Sequence, residues 1–420
     1  MKILYAVSLF SGLENSVNNL VWEPTGAPTI YKMIEALDKG ANDTIFAFVC
    51  KSAHLRGAFS KAAKIKIKGL RSPVWLLPYY KTPFIGKLGR LFRDFVHALF
   101  LLRLHIKNRF DLCYFNNGNL FIAALFAHAG VKPTVLRIMG AYPVMKRIVI
   151  RPGNLGERIE RLAYKAPFSL AICSQDGSGG KWFMKHALRK NTPKITLING
   201  VDWEEEGQAD LGDLKKRFDF DKNLPVILFV GKMEEAKGCR EFLEALLAVA
   251  RERPGSFFGV MIGRGPQSEI LEKMLSHSGS GRFIRIISLV PHSEMRLWHK
   301  MADVYVSLNK LGSLSNANLE AMRFGSAMII LESDRKKHVD EATDGLLPEG
   351  AVLRIGRQDI VGNLRAALKY FLDDPSEMRD RKRKVKAIAH DLIPTWEARI
   401  KEEMEILTCL HKTYPGFQEW

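Results

Sequence analysis

The sequence is short of cysteine, of long apolar runs and, over its first half, of acidic residues. Its five cysteines, Cys50, Cys113, Cys173, Cys239 and Cys409, are scattered, odd in number and without C-x-x-C spacing. That pattern argues against a disulfide framework and against a zinc site, and it fits a reducing cytoplasm. The longest apolar stretch, Phe95 to Ile106, is interrupted by His97, Arg103 and His105. It falls short of the ~20 residues needed to cross a bilayer. The N-terminus, Met1 to Ser8, turns polar too quickly for a secretory signal and reads as a first buried strand.

What is present is enough for two cores. A chain of 420 residues with 47% hydrophobic content exceeds what one core usually organises. The formal net charge of +18 is unevenly distributed, since residues 1–200 hold 30 Lys and Arg against 10 Asp and Glu, and the remainder hold 33 against 35. The excess is densest from Lys51 to Arg109, where Asp94 is the only acid. Such polarity calls for an anionic partner, a basic solvated surface without a specific ligand being the plainer alternative.

Short apolar runs at Thr44–Val49, Leu112–Phe115, Thr134–Ile138 and Leu170–Cys173 alternate with longer amphipathic segments, the rhythm of β-α units. A charged stretch, Asp210–Asn223, then reads as a linker. Strand candidates resume at Pro225–Val230, Phe258–Ile262, Ile284–Ile287, Val304–Leu308 and Ala327–Leu331. Two α/β halves are therefore expected, with ligands beyond the carboxyl ends of the strands and a substrate between two facing sheets. In the first half, Leu88, Phe92, Phe95, Leu99, Leu102 and Ile106 recur at steps of four and three. This spacing predicts a helix that buries that stripe and leaves Phe100, Leu101 and Leu104 to meet lipid or a partner.

Three loops in the second half could carry chemistry. The first is Gly231-Lys232-Met233-Glu234-Glu235-Ala236-Lys237-Gly238, where two ammonium groups at a strand's carboxyl end suit a diphosphate; solvated lysines around a turn are the plainer alternative. The second is the tight turn Gly263-Arg264-Gly265-Pro266. The third is a polar loop, Leu311–Ser315, that becomes a helix through Asn316-Ala317-Asn318-Leu319-Glu320. Free N–H groups at such a helix start bind anionic oxygens, although Ser315 or Asn316 as a simple cap would leave the same pattern.

In this order and at these distances the pieces resemble family 4 of the glycosyltransferases. The family's basic residue and E-K-G look like Lys232 and Ala236-Lys237-Gly238, its G-x-G-P like Gly263–Pro266, and its L-E-A-M like Leu319–Met322. Asn199-Gly200-Val201-Asp202 is similar to its N-G-V-D, and Pro394-Thr395-Trp396-Glu397 to its tryptophan segment before the last helix. The resemblance implies a GT-B fold, with two facing Rossmann-like domains, a cleft between them and a C-terminal helix crossing back to the first. The expected boundaries are residues 1–204 for the acceptor side, 205–390 for the nucleotide-sugar side, and 391–420 for the returning helix.

By the same resemblance Lys232 and Lys237 neutralise the donor diphosphate and Glu320 holds the ribose hydroxyls. Gly231, Arg264 and the N–H groups around Asn316, Ala317, Asn318 and Leu319 complete the donor site, with no metal and no cofactor. The donor is expected to be a UDP-sugar, with a GDP-sugar as the alternative, and the anomeric configuration to be retained. The absence of recognisable paired carboxylates suits a transferase better than a hydrolase. The acceptor side is expected around Gly26, Met139 and Gly140. Two departures stand out: the family's second glutamate, eight positions before Glu320, is Gly312, and the histidine expected after Thr134–Ile138 is replaced by Met139-Gly140.

The basic first half then implies an anionic glycan or lipid-linked acceptor, as in cell-surface polysaccharide synthesis, and peripheral association with the cytoplasmic face of an anionic membrane. Two other classes stay open at this point. A catalytically silent relative serving as a partner subunit would explain Gly312 and Met139, and a basic nucleic-acid-binding protein would explain the charge. The sequence contains no recognised nucleic-acid motif, so nucleic acid is not the expected partner.

Overall fold

Parallel strands covered by helices on both faces must be apolar along their whole length, which is how most strands of this chain read. The computed structural model describes residues 1–51, 61–82, 86–202, 211–218 and 223–413. The expected boundary at 204/205 lies outside them, and the proposed linker is described only at 211–218, where Leu211–Arg217 is helical, and at Asn223. Two compact units emerge: Met1–Ser174 with Gly180–Leu197 and Trp396–Trp420, and Ile198–Thr395 with the short segment Gln175–Gly179.

The first unit holds β1 (Lys2–Ser8), β2 (Asp43–Val49), β3 (Ala63–Ile65), β4 (Val74–Leu77), β5 (Leu112–Asn116), β6 (Thr134–Ile138), β7 (Leu170–Ser174) and β8 (Lys194–Leu197). Their order is β3-β4-β2-β1-β5-β6-β7-β8, parallel throughout except for β3 against β4. In the second unit β9 (Val226–Val230), β10 (Phe258–Ile262), β11 (Ile284–Ile287), β12 (Val304–Ser307), β13 (Ala327–Leu331) and β14 (Leu353–Ile355) form a wholly parallel sheet. Its order is β11-β10-β9-β12-β13-β14. The chain reverses its winding direction between β9 and β12, which opens a crevice beyond their carboxyl ends.

The last described helix, Trp396–Thr413, lies in the first unit. Trp396, Ile400 and Leu407 enter the core that also contains Ile3, Tyr5 and Tyr114. On the same helix Glu403, fully buried, takes Arg137 at 2.7 Å and Arg399 at 2.7 Å and accepts from the Tyr114 hydroxyl. The two guanidinium groups hold its carboxyl below the usual range despite burial. This is the α/β GT-B architecture with its C-terminal helix.

One expectation is largely inverted, Leu102 alone of the expected stripe packing partly buried against the core. The helix Gly86–Asn108 buries Ala98, Leu101 and Leu104 against the helix Leu120–His128, while Leu88, Phe92, Phe95, Leu99 and Ile106 are 42–74% exposed. The helix is apolar on more than one face, so periodicity alone did not decide which face meets the core. The buried face also carries Asp94 and His97, because each finds a partner there. Asp94 pairs with Lys51, and His97 Nε2 lies 3.0 Å from the Pro78 carbonyl. Among the described residues no helix is long and apolar enough to cross a membrane.

Candidate functional site

The carboxyl ends of β9 and β12 bring the first and third of the sequence loops together. A cavity of about 190 Å³ is lined by Val230, Gly231, Lys232 and Lys237 at the first and by Ser307, Asn309, Ser315, Ala317 and Asn318 around the third. The second loop, Gly263–Pro266, can approach the lysine loop because glycines stand where the two backbones meet. A Cβ on Gly263 would lie 1.9 Å from the Gly231 carbonyl oxygen, and one on Gly265 would lie 2.4 Å from that of Met233. The G-x-G-P turn is therefore a brace for the lysine loop. Arg264 donates nothing to the cavity: its carbonyl accepts from the Met233 N–H at 3.2 Å, while its side chain is exposed and outside the lining.

The two lysines differ. Lys232 is exposed and paired with Glu234 at 3.0 Å. Lys237 is half-buried, and desolvation pulls its ammonium below the ordinary lysine range against the opposing pull of Glu234 and Asp176. Among the described residues no carboxylate stands within ion-pair distance of its Nζ. An anion in the cavity would supply the missing counter-charge.

The helix Asn316–Phe324 starts at Ser315, whose side chain makes no cap bond. Its N–H groups at Asn316, Ala317 and Asn318 have no acceptor among the described residues, whereas that of Leu319 is spent on Ser315 O at 2.9 Å. Leu319 itself is fully buried in the core, so it is not a donor contact by side chain or by N–H. The side chain of Asn318 is also turned inward: it donates to Ser307 Oγ at 2.8 Å and to Ser313 O at 3.0 Å, and accepts from the Tyr305 hydroxyl at 3.2 Å. Asn316 Oδ1 accepts from Asn199 at 2.7 Å, which ties the N-G-V-D segment to the helix start. The cavity of the two ammonium groups is thus met by the free donors' end of the helix and its positive dipole, with Ala317 and Asn318 in its lining and Asn316 just outside it.

Glu320 lies one turn further along, partly exposed and outside the cavity lining. Its Oε2 is 3.3 Å from Nε2 of the buried His299, a contact too poorly aligned to count as a hydrogen bond. His299 stacks on Phe324 with the rings 5.9 Å apart. Neither His299 nor the pocket residues Ser307 and Asn309 were picked out from the sequence. For Ser307 and Asn309 the available signal was their place just at and after the carboxyl end of β12.

Gly312 receives a physical explanation. At φ 146° its Cβ would sit 2.5 Å from the Asp176 carbonyl oxygen and 2.7 Å from the Gly177 carbonyl carbon. The Asp176–Gly177 turn cannot withdraw freely, since Asp176 O accepts from Leu314 N at 3.1 Å and Gly177 O from Asp340 N at 2.7 Å. Asp340 in turn accepts from Ser313 N at 2.8 Å, Ser313 Oγ at 2.9 Å and Thr343 Oγ1 at 2.8 Å. The space a glutamate would need is filled by backbone.

The acceptor-side candidates all fall in the first unit. Met139 and Gly140 follow β6, with Met139 partly buried against the core. Gly26 stands in open space at φ 63° beside Ala27, the residue before the helix Pro28–Lys39. The glycine that close approach requires near the N-terminus is Gly12, not Gly26: a Cβ there would meet the Thr25 carbonyl oxygen at 1.6 Å. A second cavity, of about 220 Å³, lies in this unit beyond the carboxyl end of β5, with Arg90, Asn117, Gly118 and Glu160 in its wall.

Residues 224–382 match the family model described as Glycosyl transferases group 1. That span contains every residue of the β9/β12 cavity. Among curated proteins, the chain is 22% identical over 226 residues to the alpha-D-kanosaminyltransferase of Streptomyces kanamyceticus, covering 48% of this chain and 56% of that one. It is 23% identical over 109 residues to the alpha-monoglucosyldiacylglycerol synthase of Acholeplasma laidlawii, covering 26% of this chain and 27% of that one. The chain thus spans between about a quarter and just over half of these relatives' lengths. Among solved structures, the sucrose-phosphate synthase of Thermosynechococcus elongatus superposes with a TM-score of 0.70 at 14% identity, over 98% of this chain and 100% of the other. Anabaena Alr3699/HepE, solved in complex with UDP, gives 0.69 at 15% identity over 97% and 100%. At such identities these likenesses establish the fold.

Proposed function

We propose that this protein is a retaining glycosyltransferase that moves a sugar from a nucleoside diphosphate donor to an acceptor. The observation that carries the reading is the β9/β12 cavity, lined by Lys232, Lys237 and, from the helix start with its free N–H groups, Ala317 and Asn318, all within the matched family span. When the glycosyl–phosphate bond breaks, negative charge grows on the departing diphosphate. Fixed ammonium groups and helix-end donors stabilise that charge where it appears, and a low-dielectric site makes each worth more than in water. In this assignment the lysines and the helix start supply the neutralisation without a metal, and Glu320 takes the ribose hydroxyls from beside the cavity.

A UDP-sugar is the favoured donor, supported by the UDP and UDP-glucose complexes of the Anabaena protein, with a GDP-sugar as the alternative. The proposed division of labour sets residues 205–390 on the donor and 1–204, with Gly26, Met139 and Gly140, on the acceptor, the segment 391–420 returning to the first domain. The basic balance of residues 1–200 and the partial likeness to a protein named as a glucosyldiacylglycerol synthase favour an anionic, lipid-linked acceptor. Cell-surface polysaccharide synthesis at the cytoplasmic face of a membrane is the setting this implies.

The test is thermal unfolding with UDP and GDP in the absence of magnesium. UDP should raise the melting temperature, and Lys237→Ala should weaken binding by about 10- to 100-fold, the worth of a hydrogen bond to a charged group. A melting temperature indifferent to both nucleotides refutes the donor site.

A further inference from the structure

Nine of the fourteen exposed large apolar side chains of the described residues lie on three helices of the first unit: Gly86–Asn108, Pro143–Ile150 and Leu155–Tyr164. The third packs against both of the others. The first contributes the exposed stripe already described, with Phe95 and Leu99 at its centre. The second adds Val144 and Ile150, at 59% and 62% exposure, and the third adds Leu155 and Leu162, at 63% and 68%. Soluble surfaces scatter such residues singly, and a set gathered on adjoining helices marks an interaction site.

The fully exposed charges on these helices have one sign. Arg90, Arg103 and Lys107 on the first helix, Arg151 just after the second, and Arg158 and Arg161 on the third are exposed. The acids face inward: Asp94 is held by Lys51, Glu157 is buried and clasps Arg147 at 2.7 Å, and Glu160 is half-buried in the wall of the 220 Å³ cavity. That cavity opens among the same elements, between Arg90 and Leu91, Met145, Glu160 and the Asn117–Asn119 turn.

From this juxtaposition we propose that the outer face of these three helices is the surface on which the protein docks on an anionic lipid bilayer, its apolar side chains entering the headgroup boundary and its arginines meeting lipid phosphates. Amphipathic helices that combine apolar stripes with arginine and lysine bind such interfaces by both effects at once. A second copy of the chain is a poorer occupant. A two-fold symmetric contact would set this cationic face against itself. Docking of this kind presents the adjoining cavity to an acceptor carried in the membrane. That purpose rests on the proposed lipid-linked acceptor, but the docking and its test do not.

The experiment is co-sedimentation of the full chain with vesicles of phosphatidylcholine, alone or with phosphatidylglycerol, alongside size-exclusion chromatography. Wild type should bind the phosphatidylglycerol vesicles and not the neutral ones. The double variant Phe95→Ser/Leu99→Ser should lose about ten-fold or more in vesicle affinity, the scale of withdrawing apolar surface from the boundary. A control on the second unit, Ile270→Ser/Leu289→Ser, should bind as wild type does, since those exposed residues lie elsewhere. An unchanged melting temperature shows that both variants fold, whatever UDP does. Undiminished vesicle binding by the Phe95/Leu99 variant overturns the proposal. So does a wild-type dimer that the variant dissociates, which would assign the face to a second copy.

Discussion

Replacing Gly312 by alanine adds one methyl group and no charge, and it separates two explanations for the glutamate that is missing there. If the position were merely a lost acid, alanine would be harmless. The structure says otherwise on two counts. A non-glycine residue at φ 146° is strained by about 1–3 kcal/mol, and its Cβ would press within 2.5 Å of the Asp176 carbonyl oxygen. Relief requires the Asp176–Gly177 turn to move, breaking its bonds to Leu314 and Asp340, and forced overpacking of this sort costs about 1–3 kcal/mol. Together the loss is about 2–6 kcal/mol. In a unit of about 200 residues each kcal/mol lowers the melting temperature by about 2–4 °C, so a fall of about 10 °C is expected by calorimetry. Gly312→Glu should be no milder. An alanine variant melting within ~2 °C of wild type would refute the reasoning.

Two further outcomes follow from buried charge in the first unit. Glu403→Gln leaves Arg137 and Arg399 buried without their counter-charge and should destabilise the chain by about 3–5 kcal/mol, read as a lower urea midpoint; an unchanged midpoint would show that the cluster is not holding the last helix. His97 is pushed down to about 4 by burial, so the unfolded chain takes up its proton first as the pH falls below 6.5. Its contribution is complete above that value and is lost towards about pH 4, on the order of 3 kcal/mol in all. His97→Gln, which can still donate to the Pro78 carbonyl, should flatten this dependence between pH 7 and pH 5. Equal slopes in both proteins would exclude His97 as the source.

The sequence by itself determined the order of the β-α units, because strands buried on both faces leave uninterrupted apolar runs. It also located Lys232, Lys237 and the start of the helix at Asn316, since glycine turns and helix starts are written locally. The short strands β3, β4, β8 and β14 escaped it. Only the tertiary structure decided which way side chains face when a segment offers more than one choice. Leu319 and Asn318 turn into the core because the sheet and Ser307 lie there. Asp94 and His97 are buried because distant Lys51 and Pro78 partner them, and that in turn leaves Phe95 and Leu99 outside. Gly312 looked like an acid deleted from a motif. The backbone of Asp176 and Gly177, more than 130 residues earlier in the chain, shows that no side chain fits there.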